Sequence, residues 1–214
     1  HCYKEWQATG KIEPFKLGDK DIARSLQISR KLYGREEPIE HLKSLLEQVN
    51  AGAIKFALIS GYSGIGKSAL VNELRKYLKK GYFANNKYDL LKHAKPYSAL
   101  IQIFQQVIKQ ILTEPDDKLN YIRQRLQHHL GANGQVIINS IPELEFIIGK
   151  QPEVVPLNAV ETENRFNYTF ENFIRALAST EHPLILFVDD LQWADFASIK
   201  LMGNILLSEI GRAS

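Results

Sequence analysis

Cysteine is almost absent. Cys2 stands alone among 214 residues, so no disulfide can form within the chain. That excludes the disulfide-stapled class of small secreted folds and fits a reducing compartment such as the cytoplasm. Long apolar runs are lacking too: the longest, "LILFV", stops at two aspartates, far short of the roughly 18 residues a membrane span needs. An excess of one charge is missing as well. The net charge of +3 is too small to argue for direct nucleic-acid binding or an anionic membrane surface. The densest basic cluster, Arg75, Lys76, Lys79 and Lys80, reads as a solvated helix end, where cations favour the dipole. No internal repeat or low-complexity tract is found. Nothing near His1 resembles a signal peptide, and a start without methionine reads as a piece of something longer.

What is present is an ordinary globular composition, 44% hydrophobic and 24% charged, ample for one buried core plus a flank. Residues 1–30 are polar without a sustained period and read as a connector. "EEPIEHLKSLLEQVN" places Ile39, Leu42, Leu45, Leu46 and Val49 on one helical stripe. "AIKFALIS", residues 53–60, is short and apolar and runs into glycines, the pattern of a buried parallel strand. A helix over 67–80 follows, carrying Leu70, Leu74, Tyr77 and Leu78. "GYFANNKYD" reads as a second strand, although its asparagines favour turns.

The middle of the chain is helical. "PYSALIQIFQQVIKQIL" aligns Leu100, Ile101, Phe104, Val107, Ile108 and Ile111, and "DDKLNYIRQRLQHHL" continues until "GAN" breaks the pattern. "GQVIINSIPELEFIIG" is ambiguous and read as helical; "GKQPEVVPLNAVE" is a loop by its prolines. "TENRFNYTFENFIRALAS" turns Phe166, Phe170, Phe173, Ile174 and Leu177 inward. "HPLILFVDD" is a buried strand and "DFASIKLMGNILLSEIG" the last helix. Strands alternating with helices predict an α/β fold with a parallel sheet. His128 and His129 have no metal-like companions and read as surface.

Two motifs carry chemistry. "GYSGIGKS", Gly61 to Ser68, fits G-x-x-x-x-G-K-[ST], the P-loop pattern. Its glycines allow the backbone to turn its N–H groups towards phosphate oxygens, and the following helix adds its positive end. Gly61, Ser63, Gly64, Ile65, Gly66, Lys67, Ser68 and Ala69 are the candidate nucleotide contacts. Lys67 would reach the β- and γ-phosphates, and the Ser68 hydroxyl would ligate Mg²⁺. The second motif is "LILFVDDLQWAD". An apolar strand delivers Asp189 and Asp190 to its carboxyl end, where ligands of open parallel sheets bind. Asp189 is the candidate Mg²⁺-side carboxylate, and Asp190, with Lys67, the candidate catalytic group, placed to orient an attacking water. The bland reading of this acid pair is a helix N-cap beside a solvated acid. Asp195 is read as an N-cap, and Trp193 as packing the loop.

With these motifs identified, "KLYGRE", "SGYSGIGKSALVNEL", "PYSALIQ", "GANGQVI", "IPELEFIIG", "ENRFN" and "LFVDDLQWAD" resemble, in order and spacing, one ATPase module. It is the AAA-like (STAND-type) P-loop ATPase of very large bacterial signalling proteins. In those proteins it lies between a serine/threonine kinase domain and a helical region, a GAF domain and a histidine kinase. The resemblance covers nearly the whole chain. It implies a three-layer α/β P-loop NTPase fold with a helical insertion over about 95–180 and a domain over 31–214. It also implies a connector over 1–30 after a kinase domain, Mg²⁺ and ATP as ligands, and a role in a two-component signalling chain with neighbouring domains as partners. By the same resemblance Gly34 and Arg35 lie near the adenine. The family's layout further implies a C-terminally truncated domain, since "GRAS" precedes any strand that would carry a sensor residue.

Four functions remain open at this stage. The leading one is a nucleotide-operated regulatory switch. A small-molecule P-loop kinase would use the helical segment as an acceptor site, but no arginine cluster for a phosphorylated substrate is found. A DNA-binding transcriptional regulator would carry the same module. A scaffold with a decayed ATPase is opposed by the intact Lys67, Ser68, Asp189 and Asp190.

Overall fold

The computed structural model describes residues 34–78, 80–88, 96–180 and 182–210. The connector expected over 1–30, the "KLY" that opens the Gly-Arg motif and the final "GRAS" lie outside the described residues.

The architecture is α/β, with a two-stranded parallel sheet among the described residues. Helix α1 spans Glu36–Asn50 and α2 spans Lys67–Leu74. Strand β1 is Tyr82–Lys87. Helices α3 (Ser98–Ile111), α4 (Asp116–Leu130), α5 (Gly134–Ile138), α6 (Glu145–Ile148) and α7 (Ala159–Leu177) follow. Strand β2 is Leu184–Asp189 and α8 is Phe196–Ile210. The ambiguous segment after "GAN" is helical, as read, and α7 starts where Asn158 Oδ1 accepts the Glu161 N–H at 3.0 Å. Helix α2 is shorter than its pattern predicted: it ends at Leu74 and tightens into a 3₁₀ turn over Arg75–Tyr77.

The core divides at β2. Leu184, Leu186 and Val188 pack against a large cluster built by α3 to α8, while Ile185 packs against Leu42, Leu46, Leu70 and Leu74 of α1 and α2. Alternate residues of a strand face opposite sides, so four residues of β2 serve two cores, although the strand, expected to be buried, is half-buried throughout. At the centre of the large cluster Phe104 meets Phe170 and Phe173 edge-on, with ring centroids 5.1 and 5.4 Å away. That is the geometry aromatic quadrupoles prefer. Phe166 and Ile174, expected inside, are only partly buried against it.

Strand β1 forms despite its asparagines because α3 hydrogen-bonds along its edge. Gln102, Gln106 and Gln110 recur every four residues and so share one helix face. Gln110 Nε2 donates to the Phe83 carbonyl at 2.9 Å, Gln106 Nε2 to the Asn85 carbonyl at 2.8 Å, and Asn86 Nδ2 to Gln102 Oε1 at 2.9 Å. The Gln106 and Gln110 amides stand where a neighbouring strand would supply backbone groups, which blunts an otherwise open edge, while Gln102 holds the Asn86 side chain. At the strand's start Gly81 adopts φ +91°, and a Cβ there would lie 2.1 Å from the Pro183 carbonyl oxygen. Only glycine fits that approach.

The strand expected over 53–60 is not found. Those residues pair with neither β1 nor β2. Ile59 joins the α1/α2 cluster, but Ile54, Phe56 and Leu58 are exposed. An apolar run becomes a strand only when another strand takes up its N–H and C=O groups, and β1 and β2 instead pair with each other.

Candidate functional site

The glycines that suit "GYSGIGKS" to a tight loop are used as such: Gly64 and Gly66 take φ +81° and +95°, a region costly for other residues. Gly61, Ser63, Gly64 and Ile65 are exposed in the loop. Gly66 is the N-cap of α2, with no side-chain hydrogen bond capping the helix start. Lys67, Ser68 and Ala69 form its first turn. Lys67 Nζ donates to the carbonyls of Gly61 at 2.9 Å and Tyr62 at 3.0 Å. The lysine therefore arches back over its own loop.

The two motifs meet. Ser68 Oγ donates to Asp189 Oδ2 at 2.6 Å, across 121 residues of sequence. The contact exists because β2 ends at Asp189 while Ile185 of the same strand packs beside Leu70 and Leu74 of α2. Asp189 Oδ1 accepts the N–H of Asp190 at 2.9 Å. Asp190 itself sits in the left-handed region at φ +54°, uncommon for a residue other than glycine.

Asp190 has a partner that its motif does not reveal. Lys87 Nζ lies 3.0 Å from Asp190 Oδ2, and Gln192 Nε2 donates to Oδ1 at 3.3 Å. The Lys87 hydrogen bond and charge, followed by Gln192 and the charge of Lys67, hold the Asp190 carboxyl below the ordinary carboxylate range. No pattern in the sequence singles out Lys87. Its place opposite Asp189 in the β1–β2 register does.

Arg35, just before α1, also reaches the loop: its Nη2 donates to the Ile65 carbonyl at 2.8 Å. Gly34 beside it takes φ +68° in open space. Asp195 is an N-cap, as read. Its Oδ1 accepts the Ser198 N–H at 2.8 Å and its Oδ2 the Ser198 hydroxyl at 2.7 Å. His128 is exposed and His129 half-buried, its pKa lowered first by burial and then by the charge of Arg125. Trp193, expected to pack its loop, is 42% exposed.

These groups suit a nucleotide with a hard divalent cation. A hydroxyl and a carboxylate in contact are oxygen donors of the kind Mg²⁺ takes, and phosphates and water complete its octahedron. Among the described residues no cluster of three or more His, Cys, Asp or Glu side chains could hold a metal by itself. Among the described residues, too, no helix is long and apolar enough to cross a membrane.

The loop, its lysine and the serine–aspartate contact are the marks of a nucleotide-binding module, and comparison with known families names it. The chain belongs to the AAA ATPase domain family. That family matches residues 31–210. Over 198 residues the AAA ATPase domain is 36% identical to Hybrid signal transduction histidine kinase G of Dictyostelium discoideum, covering 92% of this chain and 6% of that protein. Over 213 residues it is 23% identical to Histidine protein kinase 1 of Candida albicans, covering 91% of this chain and 8% of that protein. Both relatives come from organisms other than bacteria. The chain thus spans a small fraction of the curated relatives it matches. No solved structure matches it.

Proposed function

We propose that this chain is the ATP-binding regulatory module of a multidomain signalling kinase, in which bound Mg-ATP selects a conformation that neighbouring domains read. The observation that carries the reading is the 2.6 Å contact between Ser68 and Asp189. It unites the phosphate loop with the acidic strand end that a Mg-nucleotide site requires. The named relatives, both histidine kinases, favour a signalling context over metabolic phosphoryl transfer. Kinase, GAF and histidine kinase domains are the proposed neighbours in the parent protein, a cytoplasmic location fits them, and the STAND-type branch with its three-layer sheet is the proposed class.

In this reading Lys67 leaves the Gly61 and Tyr62 carbonyls to pair with phosphate oxygens, and the first-turn N–H groups of α2 donate to the same phosphates. Ser68 and Asp189 would hold the Mg²⁺. Bound Mg²⁺ would neutralise charge on the phosphate oxygens. Asp190 would orient the attacking water, whose oxygen bonds to the γ-phosphorus as the bond to the departing ADP oxygen breaks, and hydrolysis resets the switch.

The test is thermal unfolding of the chain and of Lys67→Ala with and without Mg-ATP. A ligand at 100 times its Kd stabilises by about 2.7 kcal/mol, which raises Tm by a few degrees at this size. A shift in the parent and none in the variant supports the reading; equal shifts in both, or none in the parent, overturn it. In the full-length protein Asp190→Asn should keep ATP binding and lose turnover.

A further inference from the structure

Two cations hold the phosphate loop, and they do so differently. Lys67, inside the loop, holds the Gly61 and Tyr62 carbonyls. Arg35, from outside, holds the Ile65 carbonyl. A phosphate that recruits Lys67 removes the first grip and leaves the second. Arg35 is anchored for such a role: it is the N-cap residue of α1, and its carbonyl accepts the Ile39 N–H at 3.0 Å. Helix α1 is in turn packed on α2 through Leu42, Leu46, Leu70 and Leu74. The arm and the loop it grips are thus both tied to one small core.

The gripped carbonyl belongs to the peptide group whose other half is the Gly66 N–H. No cis peptide occurs among the described residues, and in a trans peptide C=O and N–H point in opposite directions along one rigid plane. Whatever fixes the Ile65 carbonyl therefore fixes the Gly66 N–H. Left ungripped, this peptide joins Ile65 to Gly66, and the glycine side, at φ +95°, places few steric restraints on its rotation.

We propose that Arg35 is a positioning residue of the phosphate loop: by holding the Ile65 carbonyl it orients the Gly66 N–H for a phosphate oxygen. The inference rests on the nucleotide-binding reading above and deepens it. It differs from a place beside the adenine, because a residue acting on the loop backbone has no stake in the base. Its removal weakens ATP and a base-free polyphosphate alike.

Calorimetric titration of the parent chain, Arg35→Met and Arg35→Lys with Mg-ATP and with Mg-tripolyphosphate tests this. Arg35→Met, which keeps the apolar stem, should bind both ligands roughly tenfold more weakly, the lower end for a hydrogen bond involving a charged group. Arg35→Lys, with one cationic donor of similar reach, should recover most of that loss. The ratio between variant and parent should persist at high salt, since a direct hydrogen bond is not screened as a distant charge is. Weakening confined to ATP would assign Arg35 to the base and overturn the proposal. A loss that disappears with added salt would reduce Arg35 to its charge and overturn it as well. A parent that binds both ligands no better than Arg35→Met overturns this inference alone. A parent that binds neither overturns it together with the nucleotide reading. Should Arg35→Met fail to fold, Arg35→Gln replaces it in the same comparison.

Discussion

Lys87 Nζ lies 3.0 Å from Asp190 Oδ2, and the pairing follows from strand register. Strands β1 and β2 run parallel with Lys87 opposite Asp189, so the lysine at the end of one strand meets the first residue beyond the other. The Asp190 carboxyl is thereby favoured in its charged form and turned towards β1. An exposed pair of this kind adds little to stability. Its consequence is for the protonation and orientation of Asp190.

Replacing Lys87 by methionine should therefore raise the Asp190 pKa towards its ordinary value of 3.8. A carboxyl whose folded pKa is depressed binds fewer protons folded than unfolded between the two values. Its stabilisation is present above 3.8 and fades as pH falls through the folded pKa. The Asp190 carboxyl resonance, followed by NMR against pH, should titrate at higher pH in Lys87→Met than in the parent. Identical titration in the two would show that Lys87 does not govern this group.

Gln106 serves β1 as a stand-in for a neighbouring strand: its side chain donates to the Asn85 carbonyl at 2.8 Å. Gln106→Leu should lower the unfolding free energy by about 0.5–1.5 kcal/mol, the net worth of one intramolecular hydrogen bond at an exposed residue. Chemical denaturation with an unchanged slope and a lower midpoint would show it. No change in midpoint would mean that water satisfies the edge as well as the glutamine does.

Asp195 is the third acid of its motif; besides its cap contacts to Ser198, its Oδ1 accepts the Tyr97 N–H at 3.3 Å. Asp195→Ala should cost about 1–2 kcal/mol of stability through the start of α8. The dependence of nucleotide affinity on Mg²⁺ should stay as in the parent. Titrations with and without Mg²⁺ separate the two roles: a lost Mg²⁺ dependence would make Asp195 part of the cation site.

Much of the candidate site was legible as a pattern because its motifs are local. Glycines at Gly64 and Gly66, a lysine and a hydroxyl at the head of a helix, and two acids after four apolar residues need only their own spacing to be recognised. The same holds for α3 and α7, whose apolar positions repeat with the helical period. The segment 53–60 was misleading for a physical reason. Its mostly apolar stretch, Ile54 to Ile59, has the composition of a buried strand, yet composition cannot supply the hydrogen-bonding neighbour a strand requires. Strand β1 is the converse case, weak by its asparagines and formed because Gln102, Gln106 and Gln110 line its edge.

By itself, then, the sequence determined which groups are candidates to meet a phosphate and a divalent cation, since those groups lie within a few residues of one another on one loop or one strand end. Only the tertiary structure decided what they touch. The Ser68–Asp189 contact spans 121 residues and the Arg35–Ile65 contact 30. The Lys87–Asp190 pair depends on the register of two strands. Such contacts are set by how helices and strands pack, a many-body outcome of burying two cores on either side of β2, and no short window of residues contains it.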